Sequence, residues 1–244
     1  MKKIMIIAGI MLLSLNIALA QKETNQRIPL IGSEAPSFEA NSTNGQISFP
    51  KDFGSNWKIV FSHPRDFTPV CSSEILELAY QQDKFKALNT KIIVVSTDML
   101  NSHHLWKAAL EEVNYKGRET VKIPFPLVED PTYAIANSFG MLDSRTNVGQ
   151  SIRGVFFIDP ENKIRAFYFY PNEVGRNIDE IQRTLVALQT NYNQDRVILP
   201  ANWQPGDDVM IKFLGENDKD ADGNPDAAQG FYSVSWFMNY KQAE

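Results

Sequence analysis

The stretch "WKIVFSHPRDFTPVCSSEILELAYQQDKFKAL", residues 57–88, decides how the chain is read. It opens on WKIVFS, a short β-branched and aromatic run of the kind found in buried strands. It closes with Ile75, Leu78, Ala79, Phe85 and Leu88 at helical spacing, with Ser72 and Ser73 as N-cap candidates and Glu74 as an acid in the first turn. Between strand and helix lies "HPRDFTPVC" (63–71), which ends in the only cysteine of the chain. Pro64 and Pro69 stiffen this loop and remove two backbone donors. A thiol at the start of a helix faces unpaired N–H groups and the positive end of the helix dipole, and both favour the thiolate. Thr68, three residues before the sulfur, can turn its hydroxyl into the same space. Two readings of Cys71 therefore stand together: a small packing residue and an activated nucleophile.

Outward from this segment, strand-like and helix-like patterns alternate. KIIVVST (91–97) reads as a second buried strand, and helices are expected over 101–113 and over 131–141, the latter with Pro131 at its start and Gly140 at its end. GVFFID (154–159) and IRAFYFY (164–170), joined by the turn 160–163, predict a hairpin, and 177–192 an amphipathic helix. The order β-α-β-α-α-β-β-α predicts an α/β domain with a mixed central sheet. After Gln194 the pattern shifts to strand-like runs around an acidic, Gly- and Asn-rich loop, which predicts a small, mostly-β C-terminal domain. The expected division is a signal peptide over 1–20, a flexible segment over 21–30, the α/β domain over 31–193 and the C-terminal domain over 194–244.

A hydrophobic content of 43% and a charged content of 22% in 244 residues describe a folded chain, not a disordered one. Lys2 and Lys3, the apolar run over 4–15 and Ala18-Leu19-Ala20 form the three parts of a signal peptide. The apolar core falls short of the roughly 20 residues of a membrane span. Export to a periplasm or the medium is expected, with no stable membrane association after cleavage. The formal charge of −5 and the lack of a basic patch argue against nucleic acid as a partner. One cysteine cannot form an internal disulfide, so in an exported chain it is packed away, joined to another chain or kept as a reactive thiol.

"FSHPRDFTPVCSSE" (61–74) resembles the active-site segment of the peroxiredoxins, thiol peroxidases on a thioredoxin-like fold, whose Pro-x3-Thr/Ser-x2-Cys signature falls here on Pro64, Thr68 and Cys71. "STDMLNSHHLW", "FPLVEDPTYAIANSFGML" and "IRGVFFIDPENKIRAFYFYP" resemble the family in order and spacing. "GRNIDEIQRTLVALQ" and "PANWQPGDDVM" resemble its one-Cys (peroxiredoxin six-like) branch, so the likeness runs from about Ile31 to Met210. It implies a thioredoxin-like fold and a thiol-dependent peroxidase that reduces hydrogen peroxide and organic hydroperoxides without a cofactor. Cys71 would be the peroxidatic nucleophile that becomes a sulfenic acid. Thr68 would hydrogen-bond the peroxide, Pro64 would shape the pocket, and Arg153 would lower the thiol pKa and donate to the peroxide. His63 and Arg176 match residues beside the site in the one-Cys branch, and Glu74 would orient an arginine or serve the helix dipole. His103 and His104 are assigned no chemistry.

With no second cysteine in the chain, reduction of the sulfenic acid is expected to come from outside: a small thiol, a thioredoxin-like protein or another Cys71. The resemblance also implies a homodimer in which the C-terminal domain of one chain packs on the other. A reading from a different class is a non-enzymatic peroxide sensor or thiol-reactive adaptor working through oxidation of Cys71. No Cys/His metal site is expected. Asp218, Asp220, Asp222, Asn224 and Asp226 follow the start of a calcium-loop pattern, but Gln229 stands where that loop needs a bidentate Glu. A solvated acidic turn competes with calcium there.

Overall fold

The computed structural model describes residues 28–142 and 149–243. The expected signal peptide over 1–20 lies outside the described residues, as does most of the segment over 21–30. A seven-stranded mixed sheet forms the centre, in the order β2-β1-β5-β4-β3-β6-β7. Its strands are β1 (Phe38–Ser42), β2 (Gly45–Phe49), β3 (Trp57–Ser62), β4 (Thr90–Ser96), β5 (Leu127–Glu129), β6 (Arg153–Ile158) and β7 (Ile164–Tyr170). β3 runs parallel to β4, and β4 to β5, while β6 pairs with β3 antiparallel. Every residue of β3 and β6 is buried, because both faces of the sheet are covered.

Alternation along β3 sorts its side chains between two cores. Ile59 and Phe61 pack with Ile75, Leu78, Trp106, Ile181 and Leu185, which come from α1 (Pro69–Ala87), α2 (Leu100–Leu110) and α4 (Ile178–Asn193). Val60 faces the other way, with Val95, Phe156 and Phe139 and with α3 (Ala134–Ser138). The Asn177 side chain accepts from Glu180 N and caps α4. This is the α/β arrangement with a mixed central sheet that the element order predicts.

Several elements depart from the sequence expectation. β1, β2 and β5 are additional to it; the first two form an antiparallel hairpin at one sheet edge, and β5 has only three residues. The helix expected over 131–141 shortens to Ala134–Ser138, because Tyr133 takes a left-handed conformation (φ 61°) and the Asp130 carboxylate accepts from Ile135 N and Ala136 N at the new start. The C-terminal residues form a separate four-stranded sheet in the order β10-β11-β9-β8, from β8 (Val197–Ile198), β9 (Val209–Ile211), β10 (Phe231–Ser235) and β11 (Met238–Lys241). All its pairings are antiparallel, around a small core of Val197, Ile211 and Phe231.

Candidate active site

α1 begins two residues before the sulfur rather than at or after it. Thr68, extended at φ −102° and ψ 146°, is the N-cap, and Pro69 takes the first helical position, where a missing N–H costs nothing. Ser72 and Ser73 are therefore inside the helix, and Glu74 lies beyond its first turn. Cys71 becomes the third helical residue, with a 0% exposed side chain packed against the core. Of its loop neighbours, Pro64 is buried, Thr68 half-buried and Pro69 exposed. The Thr68 hydroxyl donates to Arg65 O at 2.9 Å, which commits its proton and leaves its oxygen free to accept.

Sheet register brings the first arginine. Phe61 pairs with Val155, so Arg153, two residues earlier on β6, comes level with the end of β3, where the loop leaves the sheet. Its Nη1 donates to Cys71 Sγ at 3.3 Å and to Glu74 Oε2 at 2.7 Å, while Nε and Nη2 both donate to Asn172 O at 3.0 and 2.7 Å. A guanidinium cannot lose its proton here, so a fixed positive charge rests on the sulfur.

The second arginine is tied to the same carboxylate. Arg176 donates to Glu74 Oε1 from its backbone N (2.7 Å) and Nε (2.8 Å), to Oε2 from Nη2 (2.8 Å), and to Gly154 O from Nη1 (2.8 Å). Its guanidinium also lies 3.3 Å over the Phe61 ring. Gly175 lets this segment come close: a Cβ there would stand 3.3 Å from Val70 Cγ1. Burial alone would raise the Glu74 carboxyl, but the hydrogen bonds and charge of Arg176, then the charge of Arg153, hold it below its ordinary value. Burial pushes Arg176 down from its ordinary value against the pull of Glu74. Glu74 thus joins both arginines, and its place at the helix dipole is incidental.

His63 is fully buried beside Trp106, with ring centroids 4.9 Å apart. Burial lowers it to about 4, so it is neutral near pH 7. His103, which sequence reasoning passed over, holds the Asp66 carboxylate through Nδ1 at 2.8 Å. Asp98 accepts from Asp66 N at 2.9 Å and fixes the loop from β4's side. Burial would raise Asp66, yet the hydrogen bond with His103 brings it below its ordinary value. The available signal was helix phase: His103 shares the buried face of α2 with Trp106 and Leu110. His104 is exposed.

The carboxylates of the acidic loop are engaged locally. Asp218 pairs with Arg196 at 2.5 Å and accepts from Gly215 N. Asp220 accepts from the backbone of Asp222 and Asn224, and Asp226 accepts from Ala228 N. Among the described residues, no three of these carboxylates converge. Local turns and one ion pair take up these oxygens.

Residues 31–167 match the AhpC/TSA family, and residues 187–212 match the C-terminal domain of 1-Cys peroxiredoxin. A peroxiredoxin of Methanosarcina mazei is 43% identical over 216 residues, covering 88% of this chain and 98% of its own length. Peroxiredoxin-6 of Bos taurus is 41% identical over 188 residues, 75% of this chain and 82% of its own. Among solved structures, the yeast mitochondrial 1-Cys peroxiredoxin, described with a thiol resolving mechanism via glutathione/thioredoxin systems, superimposes with a TM-score of 0.75 at 33% identity, covering 88% of this chain and all (100%) of that one. A cysteine-to-serine mutant of peroxiredoxin 6 from Arenicola marina gives a TM-score of 0.73 at 30% identity, with 88% and 98% covered.

Proposed function

Because this chain belongs to the peroxiredoxins of the AhpC/TSA family and is a thiol-dependent peroxidase, we propose that Cys71 is its peroxidatic sulfur and that Arg153, held by Glu74 and Asn172, is the group that activates it. The observation that carries this reading is the 3.3 Å contact between Arg153 Nη1 and Cys71 Sγ, in a site where the arginine has no freedom to leave.

The step follows from that contact. The Cys71 thiolate attacks the terminal oxygen of ROOH; an S–O bond forms, the O–O bond breaks, and Cys71 becomes a sulfenic acid while RO⁻ leaves. Sulfur is oxidised by two electrons and the peroxide reduced by two. The alkoxide takes a proton from solvent and departs as an alcohol or, from hydrogen peroxide, as water. Negative charge moves from sulfur to the departing oxygen, and a guanidinium beside both stabilises the change without reorganising. Thr68, with its proton committed to Arg65 O, is set to accept from the peroxide O–H. Pro64 walls the pocket behind the sulfur. Arg176 touches neither sulfur nor the peroxide position and acts by fixing Glu74.

Cys71 is the one cysteine of the chain, so an external thiol completes the cycle. The first thiol displaces water from the sulfenic acid to give a mixed disulfide, and a second releases Cys71 and a thiol disulfide. Reductants of the small-thiol and thioredoxin-like classes are favoured by the likeness to the yeast enzyme resolved via glutathione/thioredoxin systems. Export, division near residue 194 and a homodimer complete the proposal. The signal-like N-terminus supports export, the separate second sheet supports the division, and the match to the one-Cys C-terminal domain supports dimerisation. The deciding experiment is stopped-flow oxidation of Cys71 by hydrogen peroxide followed by turnover with a thiol. Oxidation no faster than that of free cysteine refutes the peroxidase site. Fast oxidation without thiol turnover would favour the sensor reading.

A further inference from the structure

We propose that His63, Asp66 and His103 form a binding site for a divalent transition metal of the Zn²⁺ class, bridging the active-site loop and α2. All three side chains are buried, and their ligand atoms lie within 4.8 Å of one another, the only such group among the described residues. His63 Nε2 is 3.5 Å from Asp66 Oδ1, and His103 Nδ1 is 3.1 Å from the same oxygen. A tetrahedral ion with bonds of about 2.0–2.1 Å places its ligand atoms about 3.4 Å apart. These two edges fall on either side of that separation, and the third, between the histidines, is within 4.8 Å, so the two rings draw together on the ion.

Hydrogen-bond accounting points the same way. The Val128 carbonyl can only accept, so His103 Nε2, 3.2 Å away, carries its proton toward it. In a neutral ring, Nδ1 then presents a lone pair to the Asp66 carboxylate at 2.8 Å, which is also an acceptor. Two acceptors in contact need a cation between them, either a proton or a metal ion. A ring N–H given to a backbone carbonyl is how metal-bound histidines are commonly oriented.

His63 separates the two answers. Its Nδ1 and Nε2 are both buried, and neither has a hydrogen-bond partner. A proton on His103 satisfies Asp66 and leaves both His63 nitrogens without a partner, whereas an ion at the centre takes a lone pair from each histidine and an oxygen from Asp66, which leaves only His63 Nδ1 unpaired. The N₂O donor set suits a borderline cation and leaves one coordination position open. Cys71, Glu74, Arg153 and Arg176 take no part, so the site stands independently of the peroxidase assignment.

The test uses the full chain carrying Cys71→Ser, which removes the thiol as a competing ligand. It is purified from zinc-supplemented cells and also titrated with Co²⁺ as a spectroscopic probe. One equivalent of metal per chain with tetrahedral Co²⁺ absorption is expected. His103→Gln and His63→Gln, each added to Cys71→Ser and checked for folding by circular dichroism, should each weaken binding by more than about tenfold. ¹⁵N NMR of the Cys71→Ser protein with excess Zn²⁺ decides the matter even if those variants fail to fold. An unprotonated, metal-shifted His103 Nδ1 supports the site. Both His103 ring nitrogens protonated, no stoichiometric binding, or undiminished binding in folded variants overturns it.

Discussion

Replacing Glu74 with Gln tests the centre of the site, because one carboxylate there fixes two buried guanidiniums. It accepts four hydrogen bonds: three from Arg176 at 2.7, 2.8 and 2.8 Å and one from Arg153 at 2.7 Å. Glutamine keeps the shape, but its amide nitrogen is a donor and meets at least one guanidinium N–H head on. The negative charge is lost, while both arginines stay buried. Removing one partner of a buried ion pair costs about 3–5 kcal/mol. Against a total stability of about 5–15 kcal/mol for a domain, that is a large share but leaves a foldable protein. Arg153 keeps Asn172 O but loses the contact that holds Nη1 at the sulfur. A displacement of about 1 Å at a reacting group can cost about 100-fold in rate, so oxidation of Cys71 should slow by about 10- to 100-fold. Urea unfolding followed by circular dichroism reads the first effect, and stopped-flow peroxide oxidation reads the second. Glu74→Asp, which keeps the charge on a shorter arm, should fall between. A Glu74→Gln protein that loses less than about 1 kcal/mol and oxidises at the parent rate refutes the clamp, since a neutral surface change has that profile.

Other substitutions address the remaining parts. Arg153→Met should slow sulfenic acid formation by about 10²–10³-fold, measured by competition with a reference peroxidase, while an unchanged rate removes it from the transition state. Thr68→Ser should keep most activity and Thr68→Val should lose about 5- to 150-fold, the worth of one hydrogen bond of about 1–3 kcal/mol; equal rates in the two variants would refute the acceptor role. Glu74 is held below its ordinary value in the fold, so the unfolded chain takes up a proton first as pH falls. Its contribution is complete above about pH 4.3, the ordinary glutamate value, and is lost as pH drops through the lower folded value. Urea midpoints at about pH 5 and about pH 3 should differ less in Glu74→Gln than in the parent. Gly154→Ala should destabilise by about 1–3 kcal/mol, because its Cβ would stand 2.9 Å from Met141 Sδ and 3.1 Å from Ser62 Oγ; calorimetry with no change in Tm would contradict this packing.

The central strands, α1, α2, the β6–β7 hairpin and α4 were legible because their hydrophobic periods are strong and local. The edge was not. Phe38–Ser42 reads FEANS, with alternate residues half-buried against solvent, and Leu127–Glu129 is too short to carry a period. The N-cap of α1 lies four residues before the nearer candidate, Ser72, because Ser72 and Ser73 outweighed the stronger clue, Pro69 directly after Thr68. His103 was passed over because one histidine on an amphipathic helix looks ordinary until its helix face is known.

The sequence alone determined the single sulfur and its stiff Pro-Thr-Pro approach, since these depend on residue identity and near neighbours. Only the tertiary structure decided what touches that sulfur. Arg153 lies 82 residues from Cys71, and Arg176 lies 102 residues from Glu74. Antiparallel pairing of β6 with β3 brings the first arginine to the loop, and the Gly175 approach to α1 brings the second. By local sequence, Glu74 is an acid near a helix start. Desolvation between two guanidiniums turns it into the anchor of the site, and burial of that kind arises only when distant segments pack together.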